Sequence, residues 1–146
     1  MDIKGLGPQM IQYLVDNKLI ESPVDLYKLY MNTTKFVEMY GKKVVDKVLD
    51  SIEKSKSQNA DRVLKALGYR LIGGHVARAL FTRCKATNGS LLTLSTLNVD
   101  TIKECNIPGF SDAIYAALDV MLSSPEFKQE VAALRYAGVN LDYHTP

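Results

Sequence analysis

Four short segments carry the residue types in this 146-residue chain that could do chemistry. They are Ile3-Lys4-Gly5-Leu6-Gly7-Pro8, Val37-Glu38-Met39-Tyr40-Gly41-Lys42-Lys43, Arg70-Leu71-Ile72-Gly73-Gly74-His75 and Ile107-Pro108-Gly109-Phe110-Ser111-Asp112. Each joins an apolar residue to a glycine-bearing turn and then to an amphipathic stretch, in the four cases Ile11 and Leu14, Val45 and Val48, Ala77 and Leu80, and Ile114 and Leu118. A tight turn between helices needs glycine where φ is positive, and a glycine also lets an anion approach the backbone without meeting a Cβ. The first N–H groups of the helix that follows have no intrahelical acceptor, and the helix dipole adds partial positive charge at the same place. The chemistry implied is an anion site built from backbone, suited to a phosphate and blind to base sequence. The apolar residue inside each turn (Leu6, Tyr40, Ile72, Phe110) is expected to pack the turn onto its own helix pair.

The elements that must hold these turns read as helix throughout. Ile11, Leu14 and Val15 share a face of the first helix, and Ser22-Pro23-Val24-Asp25 opens a second with a cap, a proline and an acid three residues on. Leu26, Leu29 and Tyr30 follow at helical spacing, and Val44, Val45, Val48, Leu49 and Ile52 make a third stripe. The polar run Ser55 to Asn59 is the expected seam. Beyond it, Val63, Leu64 and Leu67 precede Gly68; Val76, Ala77, Leu80 and Phe81 form another face; Asn88-Gly89 stops it, and Ser90 caps a short helix through Leu94. Ile114, Leu118 and Met121 mark a further helix, and Ser124-Pro125 starts one that holds Val131 and Leu134 and stops at Gly138. No segment alternates as a strand does. The expected fold is all-α, four tandem turn-and-helix units in two paired halves, residues 1–57 and 58–146, forming one compact helical domain.

Composition narrows the function. The net charge of +2 is too small to coat a polyanion by bulk electrostatics, so any such binding must come from local geometry. Cys84 and Cys105 lack zinc-ligand spacing and are expected to be two free thiols. No apolar run reaches the roughly 18 residues of a membrane span, and the N-terminus lacks the apolar core of a signal peptide. The expectation is a soluble, cytoplasmic protein.

Taken together, these segments resemble the helix-hairpin-helix domain of bacterial NAD-dependent DNA ligases. Met1-Asp2-Ile3-Lys4-Gly5-Leu6-Gly7-Pro8 is similar to the segment after that family's zinc finger, and Leu14-Val15-Asp16 and Asp25-Leu26-Tyr27 continue the likeness. Ala66-Leu67-Gly68-Tyr69-Arg70 with Gly73 resembles the third hairpin, and Leu134-Arg135 with Ala137-Gly138-Val139-Asn140 resembles the helix before the BRCT domain. The resemblance implies four hairpins that clamp the minor groove of duplex DNA near a nick, in a nucleoid-associated enzyme of replication and repair. It implies phosphate-facing positions at Gly5, Gly7, Gly41, Gly73 with Gly74, and Gly109, and basic contacts from Lys4, Lys42, Lys43, Arg70 and Arg78. His75 could meet a phosphate or be a plain surface histidine.

Two departures bear on this. Met39 stands where the second hairpin usually has its first glycine, and Ser111 where the fourth has its second, followed by Asp112. The fourth hairpin is therefore expected to hold DNA less strongly than the first and third. The chain has no K-x-D-G segment to supply an adenylated lysine and no cysteine cluster for zinc. The expectation is a monomeric domain, excised or naturally separate, with no catalytic residue, metal or cofactor of its own. NAD, Mg and Zn then belong to other domains of the parent. The rival readings are a base-excision glycosylase, a freestanding DNA-junction module and a helical protein-interaction domain; the glycosylase lacks its aspartate after a Gly/Pro-rich loop.

Overall fold

The computed structural model describes residues 5–145, so Ile3 and Lys4 of the first segment lie outside the described residues. Within them every regular element is helical; the one β feature is an isolated bridge between Ser90 and Asp142. The chain divides into two compact units, Met1–Ser57 and Gln58–Pro146.

The first unit contains α1 (Pro8–Asp16), a 3-10 helix (Pro23–Met31), α2 (Thr34–Tyr40) and α3 (Lys42–Ser55). Met10, Leu14, Ile20, Leu29, Phe36, Val45, Val48 and Ile52 are buried here. The stripe on α1 is narrower than the sequence suggests: Ile11 and Val15 are exposed, and Met10 takes the buried place beside Leu14. The segment after Ser22 winds as a 3-10 helix, in which Tyr30 and Met31 face out. Its start is fixed by the Asp25 carboxylate, which accepts hydrogen bonds from the backbone N–H groups of Glu21 (2.9 Å) and Ser22 (3.1 Å).

The second unit contains α4 (Ala60–Ala66), α5 (Gly74–Arg83), a short 3-10 turn (Lys85–Thr87), α6 (Leu91–Leu94), α7 (Val99–Glu104), α8 (Asp112–Ser123) and α9 (Pro125–Tyr136). Its core gathers Val63, Leu64, Val76, Leu80, Leu94, Ile102, Leu118, Met121, Phe127 and Leu134. The sequence pattern did not mark α7, which is only six residues long and has one fully buried residue, Ile102. After Gly138 the chain returns as an extended strap. Leu91 N–H donates to Leu141 O, Tyr143 N–H to Gly89 O, and His144 N–H to Asn59 Oδ1, while Tyr143 stacks on Phe81.

Cys84 and Cys105 are not free thiols. They form a disulfide that ties the end of α5 to the end of α7, 21 residues apart. The spacing looked uninformative because α7 itself was not legible. Closing a loop of this size restricts the unfolded chain by on the order of 3 kcal/mol. Reduction with a thiol should therefore lower the second unit's melting temperature by several degrees in calorimetry, and a Cys105→Ser variant should lose that response. Two titratable thiols in the native, unreduced protein, with no response to reductant, would show the pair to be open.

Candidate nucleic-acid interface

Beside the starts of α2 and α9, whose N-caps Thr33 and Ser124 make no side-chain cap hydrogen bond, helix starts in this protein are of two kinds. Those of α4, α6, α7 and α8 are closed by a side chain: Asn59 accepts from Ala60 N–H, Ser90 from Thr93 N–H, Asn98 from Thr101 N–H and Ser111 from Ile114 N–H. Those of α1, α3 and α5 begin at Gly7, Gly41 and Gly73, which have no side chain to cap with. The first intrahelical bonds there are Ile11 N–H to Gly7 O, Val45 N–H to Gly41 O and Ala77 N–H to Gly73 O. The N–H groups ahead of those bonds have no acceptor within their own helix. Gly7, Gly41 and Gly73 are all exposed, and a Cβ at any of them would meet nothing within 4 Å. An anion can reach these donors, and the helix dipole favours it.

The turns achieve this in different ways. In the first, Gly5 takes φ +84° and Gly7 is extended at φ −94°. A Cβ on Gly5 would lie 3.4 Å from Val48 Cγ2, so the turn sits close against α3. In the second, α2 and α3 are joined by Gly41 alone, at φ +84°, ψ 153°, a region that essentially only glycine occupies. This accounts for Met39: it lies inside α2, where no glycine is needed. In the third, the position matching Gly5 is Leu71, at φ +66°, and Gly73 is extended at φ −92°. The comparable triplets are Gly5-Leu6-Gly7, Leu71-Ile72-Gly73 and Gly109-Phe110-Ser111. The third turn thus carries a strained leucine where the first has Gly5, and Gly74, expected in the turn, is already the first residue of α5.

The fourth turn repeats the backbone of the first. Ser111 is at φ −84°, extended backbone open to any residue, so it introduces no strain. Gly109 holds the positive φ at +84°. What distinguishes this turn is that Ser111 Oγ occupies the Ile114 N–H and that Asp112 stands in the first turn of α8. The apolar residues inside the turns also differ in depth. Ile72 is buried, whereas Leu6, Tyr40 and Phe110 are half-buried. Tyr40 makes edge contacts with Tyr13 and Phe36, and Phe110 with Tyr115.

Lys42 and Lys43 are exposed immediately after Gly41, and Arg70 and His75 are exposed on either side of the third turn. Arg78 is exposed one helical turn beyond Gly74 and faces Asp61. Lys4 lies outside the described residues. Within the second unit, the third turn looks across an open cavity of about 400 Å³ at α8, with Tyr69, Arg70 and Leu71 on one side and Ala113, Ala116, Ala117 and Val120 on the other. Tyr69 anchors that turn. Its hydroxyl donates to the Glu130 carboxylate on α9, and its ring meets Phe127 edge-on. Partial burial, then the Glu130 acceptor and its charge, raise the Tyr69 pKa well above the ordinary 10.0. Sequence periodicity gave no sign of this anchor or of Leu71, although the spacing Leu71-Ile72-Gly73 could have marked the latter.

No family model matches the sequence. Curated relatives do. The chain is 34% identical to a DNA ligase of Symbiobacterium thermophilum over 143 residues, 97% of this chain. It is 34% identical to a DNA ligase of Acetivibrio thermocellus over 142 residues and to one of Petrotoga mobilis over 144. It is a homologue of one segment of DNA ligases. It spans about a fifth of the length of these relatives. The alignments take in all four turns of this segment, with both kinds of helix start.

Two outcomes follow for stability. Gly41→Ala should cost about 1–3 kcal/mol, because a Cβ is strained at that dihedral, whereas Gly73→Ala should be neutral or stabilise by up to about 1 kcal/mol. Equal losses in urea melts would contradict the dihedral argument. Tyr69 is protonated in the fold above the pH at which an unfolded tyrosine ionises. Its contribution is therefore complete below pH 10 and is lost as pH rises beyond it. Tyr69→Phe should flatten the alkaline limb of stability against pH; an unchanged limb would remove Tyr69 as its source.

Proposed function

We propose that this chain is the helix-hairpin-helix module of an NAD-dependent DNA ligase, binding duplex DNA through its phosphates across the minor groove near a nick. The observation that carries the reading is a contrast among helix starts: α1, α3 and α5 begin at exposed glycines, whereas α4, α6, α7 and α8 are closed by Asn or Ser. A fold that needed only to stabilise itself would gain from a capping residue at Gly7 and Gly73, whose extended backbone is open to any residue, typically about 1 kcal/mol each; at Gly41 the dihedral itself demands glycine. Glycine at those two positions, with room for a Cβ at each, is intelligible if an anion completes the starts of α1 and α5 as it does that of α3. The sequence relationship to DNA ligases supports a polyphosphate duplex as that anion and argues against the glycosylase reading. Lys42, Lys43, Arg70 and His75 add charge or donors beside the open starts, and Lys4 is assigned to the first hairpin by its place in the sequence. In this reading NAD, Mg and Zn, and the sealing chemistry, belong to other domains of the parent ligase.

The hairpins are not equivalent in this proposal. The first three present free donors. The fourth contributes least, because Ser111 already occupies one donor and the Asp112 carboxylate repels a phosphate.

Fluorescence anisotropy with nicked and intact duplexes tests this. Binding should be weak and nearly independent of base sequence. It should weaken with salt at a log–log slope between about −2.7 and −3.6, the value for roughly three to four neutralised phosphates. Gly73→Ala should lose affinity while keeping its fold, and Ser111→Ala should not. The chain alone should seal no nick in the presence of NAD. A flat salt response or a strong base preference would remove the phosphate reading.

A further inference from the structure

The third turn carries one polar arrangement that the open helix starts do not explain. Asp61, in the first turn of α4, is only 8% exposed, and its Oδ1 is buried with no hydrogen-bond partner. Its Oδ2 lies 3.6 Å from Nε of Arg78 on α5, whose side chain remains 58% exposed. Burying a carboxylate with one oxygen unpartnered and the other in an ion pair longer than a hydrogen bond is unfavourable, and a pair this open to water returns little stability. Packing alone would be served better by an apolar residue at position 61. The geometry instead suits the guanidinium. Side chains on a helix lean toward its N-terminus, so Arg78 leans toward Gly74 and the uncapped start of α5. Gly74 supplies no side chain in its path; the nearest neighbour to a Cβ there would be Lys65 Cδ at 3.6 Å, one turn along α4 from Asp61. Arginine presents its N–H groups in a rigid planar fork. With Nε turned to Asp61, the two terminal nitrogens are left at the exposed end.

We propose that Asp61 is a positioning residue: it holds Arg78 by Nε so that the terminal guanidinium nitrogens are presented to a phosphate beside the open start of α5. This rests on the DNA-binding reading above. The device belongs to the third hairpin alone, since the positions matching Arg78 after the other helix starts are Gln12, Asp46 and Ala116. It compensates there for the strained Leu71, which replaces the glycine that lets a phosphate approach the first hairpin.

The sign of one substitution separates this role from simple electrostatics. Asp61→Asn removes a negative charge, which by itself would tighten binding to a polyanion; positioning requires that it weaken binding, by roughly three- to ten-fold. Arg78→Ala should weaken binding at least as much and flatten the salt slope by about 0.9. The double variant should bind no more weakly than Arg78→Ala alone. Arg78→Lys keeps the charge but has no Nε fork, so it should behave nearly as Arg78→Ala. Circular dichroism melts establish that each variant folds, and Arg78→Lys carries the test if Asp61→Asn does not. The proposal is overturned if Asp61→Asn binds as tightly as the unaltered chain or tighter, if losses multiply in the double variant, or if Arg78→Lys binds normally. Failure of the unaltered chain itself to bind nicked duplex would instead sink the DNA-binding reading, and the positioning role with it.

Discussion

Reversing the chain between two packed helices within one to a few residues is the constraint on which the rest of this protein depends. Between α2 and α3 the reversal is made by Gly41 alone, which must enter a backbone region closed to residues with a Cβ. The first and fourth turns place Gly5 and Gly109 at the same φ of +84°. The third forces Leu71 to φ +66°, and the cost is met by what surrounds it: the fully buried neighbour Ile72 and the Tyr69 anchor to Glu130 and Phe127. Each turn fixes the direction of the helix after it, and so fixes where that helix exposes its first N–H groups.

The same backbone economy that makes the turns short leaves donors open. A glycine at the N-cap reverses easily but offers no oxygen to the N–H groups beyond it. Asn59, Ser90, Asn98 and Ser111 show that the sequence uses capping side chains elsewhere in the same fold. Stability and anion affinity therefore compete for the same atoms, and Ser111 marks a turn where stability has the larger share. The competition is local, so it can be resolved differently at each turn without altering the helix pairs.

At the third turn, polar groups from several elements gather around the reversal. Asp61, Arg78, Tyr69 and Glu130 come from α4, α5, the turn itself and α9. Asp61 faces Arg78 across the α4–α5 pair, and Tyr69 reaches Glu130 because α9 folds back against the third turn. Cys84 and Cys105 do the same covalently, linking the ends of α5 and α7.

The helical class and the turn positions were set by the sequence, because glycine, proline and capping residues act through dihedrals and hydrogen bonds within a few positions of themselves. Ser90, Ser111 and Gly138 act where local pattern places them. The amphipathic stripes were legible where a helix buries a full face, as Val76, Ala77, Leu80 and Phe81 do on α5. They misled where burial is partial, as with Ile11 and Val15 on α1, and gave nothing for α7, too short to show a period. The φ of Leu71, the Asp61–Arg78 pair and the disulfide belong to the tertiary structure. Each depends on atoms brought together across the chain, and residue type alone does not say whether a leucine will be pushed into a glycine's conformation or a carboxylate will find an arginine 17 positions away.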